Sequence, residues 1–176
     1  MLIVAATERE LCGHDGVLCG IGPVEAAART ARVLAELRPD AVLHVGIAGA
    51  HGIEPPALVI GSEALYCDTN SGLVVARVEP DPALVEAARR VLPEARVLPI
   101  GTSGRVGGTS GCDVEGMEGF AVLRAAALAS VPALEVRAVS NAIDEPDRGR
   151  WRFDDALAAL ADALPRLLEA LPAALV

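Results

Sequence analysis

Apolar positions along the chain fall into two patterns: short unbroken runs, and longer stretches with helical spacing. Leu2 to Ala6 and Ala41 to Val45 are unbroken runs of strand length, as expected of strands covered on both faces. Val17 to Cys19, Ala57 to Leu65, Leu73 to Val78, Arg96 to Ile100 and Leu134 to Ser140 read as further strands. Val24 to Leu37 repeats apolar residues at helical spacing behind Pro23, a residue that the first helical turn tolerates. Pro82 to Leu92, Phe120 to Ala129 and Phe153 to Leu171 also read as helices, and Pro165 predicts a kink or a break in the last. Strands interleaved with helices predict an α/β fold with a mixed central β-sheet flanked by helices. No helix separates the two strands between residues 57 and 78, so part of that sheet is expected to be antiparallel. The length suits one hydrophobic core, and there is no internal repeat or long linker, so residues 1–176 are expected to form a single domain.

Composition narrows the function. Hydrophobic residues make up 52% of the chain but aromatic ones only 2%, so the core must be built from Ala, Val, Leu and Ile. Few rings to stack bases and a net charge of -9 argue against a nucleic-acid partner. All fifteen basic residues are Arg, which removes Schiff-base chemistry, a pyridoxal-phosphate anchor and the P-loop lysine. Cys12, Cys19, Cys67 and Cys112 lack C-x-x-C spacing and read as reduced, mostly buried thiols of a cytoplasmic protein with no secretory signal. His14, His44 and His51 are scattered, and His44, inside an apolar run, reads as a satisfied core histidine. No metal and no cofactor is expected. No apolar run approaches the length of a bilayer span, so no membrane partner is expected either.

Four segments fall at the carboxyl ends of strands, or on the approach to a helix, where ligands of α/β sheets collect. They are Thr7-Glu8-Arg9-Glu10, the small-residue stretch Gly46 to Ala50, Val114-Glu115-Gly116-Met117-Glu118, and Arg137-Ala138-Val139-Ser140-Asn141. The Met-Glu pair carries the most information. A carboxylate there can accept two hydrogen bonds from vicinal sugar hydroxyls, and Met117 supplies a soft apolar wall. Each segment also has a plain structural account. Glu118 in a first helical turn would stabilise the dipole, and Gly46 to Gly49 would make a tight strand exit. Ser140 and Asn141 would turn the chain, and Arg137 would form an ion pair.

In this order and spacing the segments resemble the nucleoside phosphorylase and nucleosidase superfamily, from Leu2 into the last helix. The methylthioadenosine/adenosylhomocysteine nucleosidase branch has a first strand followed by Glu-x-Glu, matched by Glu8-Arg9-Glu10. Its Gly-x-Ala-Gly turn matches Gly46-Ile47-Ala48-Gly49, and Gly20-Ile21-Gly22 has a counterpart too. Val-Glu-Gly-Met-Glu is one residue longer than that branch's Val-Glu-Met-Glu, and Asn141 stands where it has a purine-reading Asp. With Trp151 shortly after the strand, both departures resemble the futalosine hydrolase family of the alternative menaquinone pathway. The chain is shorter than is usual there, with the trimming placed after Tyr66 and between Gly101 and Asp113.

The resemblance implies hydrolysis of a purine nucleoside, futalosine, to dehypoxanthine futalosine and hypoxanthine. It implies Glu10 as general base, Arg137 positioning water or a carboxylate, and Asn141 assisting the departing base. Ile47, Ala48, Gly49, Met117, Glu118 and Ser140 are implied to bind substrate, with Glu118 on the ribose hydroxyls. It also implies a homo-oligomer, a dimer or larger. The rival readings are a methylthioadenosine-type nucleosidase, a phosphate-dependent purine nucleoside phosphorylase and, in another class, a non-catalytic nucleoside-binding protein.

Overall fold

The structure is a computed structural model that describes residues 1–109 and 111–175. The strands are β1 (Leu2–Ala5), β2 (Val17–Leu18), β3 (Val42–Ala50), β4 (Leu58–Tyr66), β5 (Arg77–Val78), β6 (Arg96–Thr102), β7 (Val114–Gly116) and β8 (Ala133–Ala142). The helices are α1 (Pro23–Leu37), α2 (Pro82–Val91), α3 (Gly119–Leu128) and α4 (Phe153–Ala170), with a short 3-10 turn at Glu8–Leu11. β8 lies between β3, to which it is parallel, and β4, to which it is antiparallel. β4 pairs with β6 and β6 with β7 in parallel, and β7 returns antiparallel to β3. The path β3-β8-β4-β6-β7 therefore closes on itself, with β1 and then β2 added in parallel beside β3. The sheet is mixed, as expected, and β4 with β5 is one of its antiparallel pairs.

Successive residues of the central strands feed two different layers, which explains the unbroken apolar runs. Leu43 and Leu134 pack with Leu84 of α2 and with Leu160 and Leu164 of α4. Their neighbours Val42 and Ala133 pack with Leu34 of α1 and with Phe120 and Val122 of α3. Each fully buried Leu of this kind contributes roughly 1.5–3 kcal/mol, so the strand residues that feed either layer are mostly apolar. Helix starts follow local chemistry: Asp81 accepts from the N–H groups of Ala83 and Leu84 at 2.9 and 3.1 Å, ahead of Pro82 at the first helical position.

Four local expectations change. Gly46 to Ala50 is no turn: it continues β3, because β8 pairs with it from Val42↔Ala133 through to Ala50↔Ala142 and satisfies its backbone. Leu73 to Val78 pairs only at Arg77 and Val78, and Leu73 is exposed. Pro165 does not break α4; its ring faces solvent, and Ala161, whose carbonyl it leaves without a helical N–H, is exposed to water. Val114 to Gly116, assigned to no element from the sequence, forms the three-residue strand β7.

Candidate active site

Two irregularities of the sheet aim polar side chains at one place. The first is in β8, where Ala48 pairs with Val139 but Gly49 pairs with Asn141, leaving Ser140 as an extra residue. Neighbouring strand residues normally face opposite sides, and a bulge re-aims them. Ser140 and Asn141 consequently border the same cavity. The second is the 3-10 turn after β1, which exposes Glu8 and buries Glu10. That turn distinguishes two carboxylates that are equivalent in the sequence.

All nine residues expected at the site, Glu10, Ile47, Ala48, Gly49, Met117, Glu118, Arg137, Ser140 and Asn141, border one cavity of about 320 Å³. Glu10 is held at both oxygens. Oε2 accepts from the Thr7 N–H at 3.0 Å and hydroxyl at 2.8 Å, and Oε1 accepts from the Ile47 N–H at 3.1 Å. The Ile47 N–H is thus engaged by Glu10. Glu118 precedes α3 without capping it; its Oε1 accepts from the Gly22 N–H at 3.0 Å. Gly22 has a φ of 90°, a conformation that favours glycine and turns that N–H toward Glu118.

Arg137 lies almost fully buried at the floor. Its Nε donates to Glu135 Oε1 at 2.8 Å, Nη2 to His44 Nε2 at 2.6 Å and Nη1 to the Ile47 carbonyl at 3.3 Å. Nη2 also lies 3.5 Å from Glu118 Oε2. Burial pulls the Arg137 pKa down, but Glu135, Glu118 and Glu10 outweigh it and carry the net shift upward. His44 is a core histidine with both ring nitrogens engaged, and its Nδ1 lies 2.9 Å from the Val4 carbonyl. Burial and the adjacent Arg137 push its pKa well below the ordinary histidine value.

The Asn141 Nδ2 donates to the Ala142 carbonyl at 2.9 Å, and its Oδ1 lies 2.7 Å from the Ser140 hydroxyl. The Ala142 contact fixes which end of the amide is nitrogen. One Nδ2 hydrogen and one Oδ1 lone pair remain for a ligand.

Other lining residues were given no role from the sequence. Val106 comes from the loop expected to be trimmed, so that segment still reaches the cavity. The buried Glu115 ties the loop down, accepting from the Gly107 N–H at 2.7 Å and the Thr109 hydroxyl at 2.8 Å. Ser110 of the same loop lies outside the described residues. Arg9, Trp151, Phe153 and Leu157 also line the cavity, Trp151 and Phe153 with ring centroids 5.3 Å apart. Of these, Arg9 lies within the Glu8-Arg9-Glu10 segment and Trp151 carries a sequence signal after the strand, while Phe153 and Leu157 read only as part of the last helix. Among the described residues no group of three or more His, Cys, Asp or Glu side chains is arranged to hold a metal ion. None of the described helices is long and apolar enough to cross a membrane.

The chain matches the model of the phosphorylase superfamily over residues 16–175 and belongs to that family. It is 36% identical to futalosine hydrolase from Streptomyces coelicolor over 88% of this chain and 78% of that protein. Two solved structures share the fold. The methylthioadenosine/adenosylhomocysteine nucleosidase of Colwellia psychrerythraea, in complex with adenine, superposes with a TM-score of 0.85 at 20% identity, covering 96% of this chain and 94% of that one. Native futalosine hydrolase of Helicobacter pylori superposes with a TM-score of 0.84 at 16% identity, covering 95% of this chain and 96% of that one.

Proposed function

We propose that the chain hydrolyses the N-glycosidic bond of futalosine, releasing hypoxanthine. The observation that carries hydrolysis is the placement of Glu10 and Glu118 around the Arg137 guanidinium in one cavity. The choice of futalosine is supported by the similarity to the Streptomyces coelicolor enzyme over most of both chains.

The residues divide the reaction among themselves. Bond cleavage builds positive charge on the sugar, in an oxocarbenium-like transition state. Glu10 takes a proton from water as the water oxygen attacks the anomeric carbon and the bond to the purine breaks. Its three hydrogen bonds to Thr7 and Ile47 hold it in place for that transfer. Glu118 retains lone pairs for the 2′- and 3′-hydroxyls beyond the one given to Gly22, while Met117 lies against the sugar. Three carboxylates, on Glu10, Glu118 and Glu135, surround one guanidinium, an environment that favours developing positive charge. The electron pair leaves with the purine as its anion, to which the free Nδ2 hydrogen of Asn141 donates at N7 or O6. A proton from solvent then completes hypoxanthine, and Glu10 returns its proton to solvent. A homo-oligomer is supported by Ile21 and Val106, which border the cavity yet are 62% and 42% exposed.

The test supplies futalosine, inosine and methylthioadenosine in phosphate-free buffer and separates the released bases by chromatography. Hypoxanthine released from futalosine without phosphate is expected. A requirement for phosphate would indicate a phosphorylase, and no free base from any of the three would indicate a binding protein.

A further inference from the structure

The register of β3 on β8 sets His44 directly beside Glu135, and both side chains converge on Arg137. His44 and Glu135 are fully buried and Arg137 nearly so. An arginine can only donate, so His44 Nε2 must accept, and its Nδ1–H then donates to the Val4 carbonyl. This fixes one neutral tautomer. Of the five guanidinium hydrogens, Nε–H goes to Glu135, one on Nη1 to Ile47 and one on Nη2 to His44. Nη2 also lies 3.5 Å from Glu118 Oε2, as an ion pair. One hydrogen on Nη1 is left over, beside Glu10: a Cβ on Gly46 would overlap that nitrogen and would also lie 2.7 Å from Glu10 Oε1.

Three glycines from separate places make room for the cluster. Besides Gly46, a Cβ on Gly116 would sit 3.3 Å from Arg137 Cζ and Nη2, and one on Gly119 would overlap the Glu135 carboxylate. Stability does not call for such an arrangement, since apolar residues of similar volume usually serve a core as well as a buried ion pair or better. Glu135 Oε2 even lacks a hydrogen-bond partner among the described residues. The arrangement specifies one orientation of Arg137.

We propose that Glu135 and His44 are positioning residues that act through Arg137. They hold its guanidinium between Glu10 and Glu118, so that the attacking water and the ribose meet a group already in place. This rests on the reading of the cavity as a nucleosidase site and extends it to two residues that do not border the cavity. A catalytic group displaced by about 1 Å can lose roughly a hundredfold in rate.

The test is a double-mutant cycle, with kcat/KM for futalosine normalised to active sites counted by hypoxanthine binding. Glu135→Ala is expected to lower kcat/KM about tenfold to a hundredfold, mostly in kcat, and Glu135→Gln, which keeps an acceptor for Nε–H, to recover most of it. In an Arg137→Met background, Glu135→Ala should change the residual kcat/KM less than about twofold, because its route of action is gone. Independent, multiplicative losses would overturn the proposal, as would an unchanged kcat per active site with only the melting temperature lowered. Should Glu135→Ala not fold, His44→Phe enters the same cycle with the same expectation. If the wild-type protein releases no base at all, the nucleosidase reading fails separately. The cycle is then run on the calorimetric affinity for inosine relative to hypoxanthine, where additivity again overturns the positioning role.

Discussion

The floor and the rim of the cavity are built on opposite principles. At the floor, Glu10, Glu118 and Arg137 border the cavity from the turn after β1, the entry to α3 and β8, with His44 and Glu135 buried behind Arg137, each tied by named hydrogen bonds. At the rim, Ile21, Val106, Trp151, Phe153 and Leu157 come from loops and the start of α4 and offer mainly apolar surface. A network of fixed donors and acceptors has few alternative arrangements, whereas an apolar wall fits many shapes. The floor therefore suits a reaction that every substrate shares, and the rim suits selection among substrates. Asn141 stands between them, polar yet facing the position proposed for the base.

The largest effect that would break this division lies at Glu10. Glu10→Gln keeps the size and removes the basicity, so kcat is expected to fall roughly a hundred- to ten-thousandfold with little change in futalosine binding. Near-normal turnover would move the general base elsewhere. Next is Glu118→Ala, which removes the proposed acceptor of two hydroxyls. Hydrogen bonds to a charged group are worth about 1.5–3 kcal/mol each, so riboside affinity should drop at least about tenfold. Inhibition by free hypoxanthine should barely change; an equal loss of both would make Glu118 a structural residue.

Asn141→Asp probes the boundary. The new carboxyl oxygen would face the Ala142 carbonyl, where Asn141 now donates at 2.9 Å, so it must carry a proton or rotate away. Either way preference should move from 6-oxopurine toward 6-aminopurine ribosides, by roughly tenfold or more, since an unmatched buried polar group costs about 1–3 kcal/mol. The ratio of kcat/KM values for inosine and adenosine measures this, and an unchanged ratio would place Asn141 away from the base.

The smallest effect is on stability. His44 has a folded pKa far below its unfolded value, so as pH falls the unfolded chain takes up a proton that the native state refuses. Its contribution is intact above the unfolded value of about 6.5 and is lost below it, at up to about 1.4 kcal/mol per pH unit. Glu135 acts in the opposite sense, because burial raises its pKa and its contribution is lost as pH rises through that folded value. Denaturant unfolding of wild type and His44→Gln between pH 7 and 5 isolates the histidine. Parallel curves would mean that His44 takes up its proton equally in the native and unfolded states, against the lowered native value.

Much of the frame was legible locally. Apolar runs and helical spacing located most elements, and the expected site segments lay near the ends of β1, β3 and β8 and at the entry to α3. What misled was also local. Gly46 to Gly49 looks like a turn because small residues suit turns, yet the ladder to β8 keeps it extended. Glu135 drew no notice because one acidic residue in an apolar strand has no pattern around it, and Glu115 was passed over for the Met-Glu pair beside it. His44 was recognised as a core histidine, but its partner is 93 positions away.

Patterning by itself determined an α/β chain with an aliphatic core, no lysine chemistry and four candidate segments that could meet, since propensity, burial and composition act within a few residues. Only the tertiary structure decided which of Glu8 and Glu10 turns inward, that Ser140 is the extra residue aiming Asn141 at the cavity, and that Arg137 has His44 and Glu135 as its supports. Those outcomes depend on strand register, in which a slip of one residue sends every side chain to the opposite face. Register is settled by the packing of both layers at once, which no local segment contains.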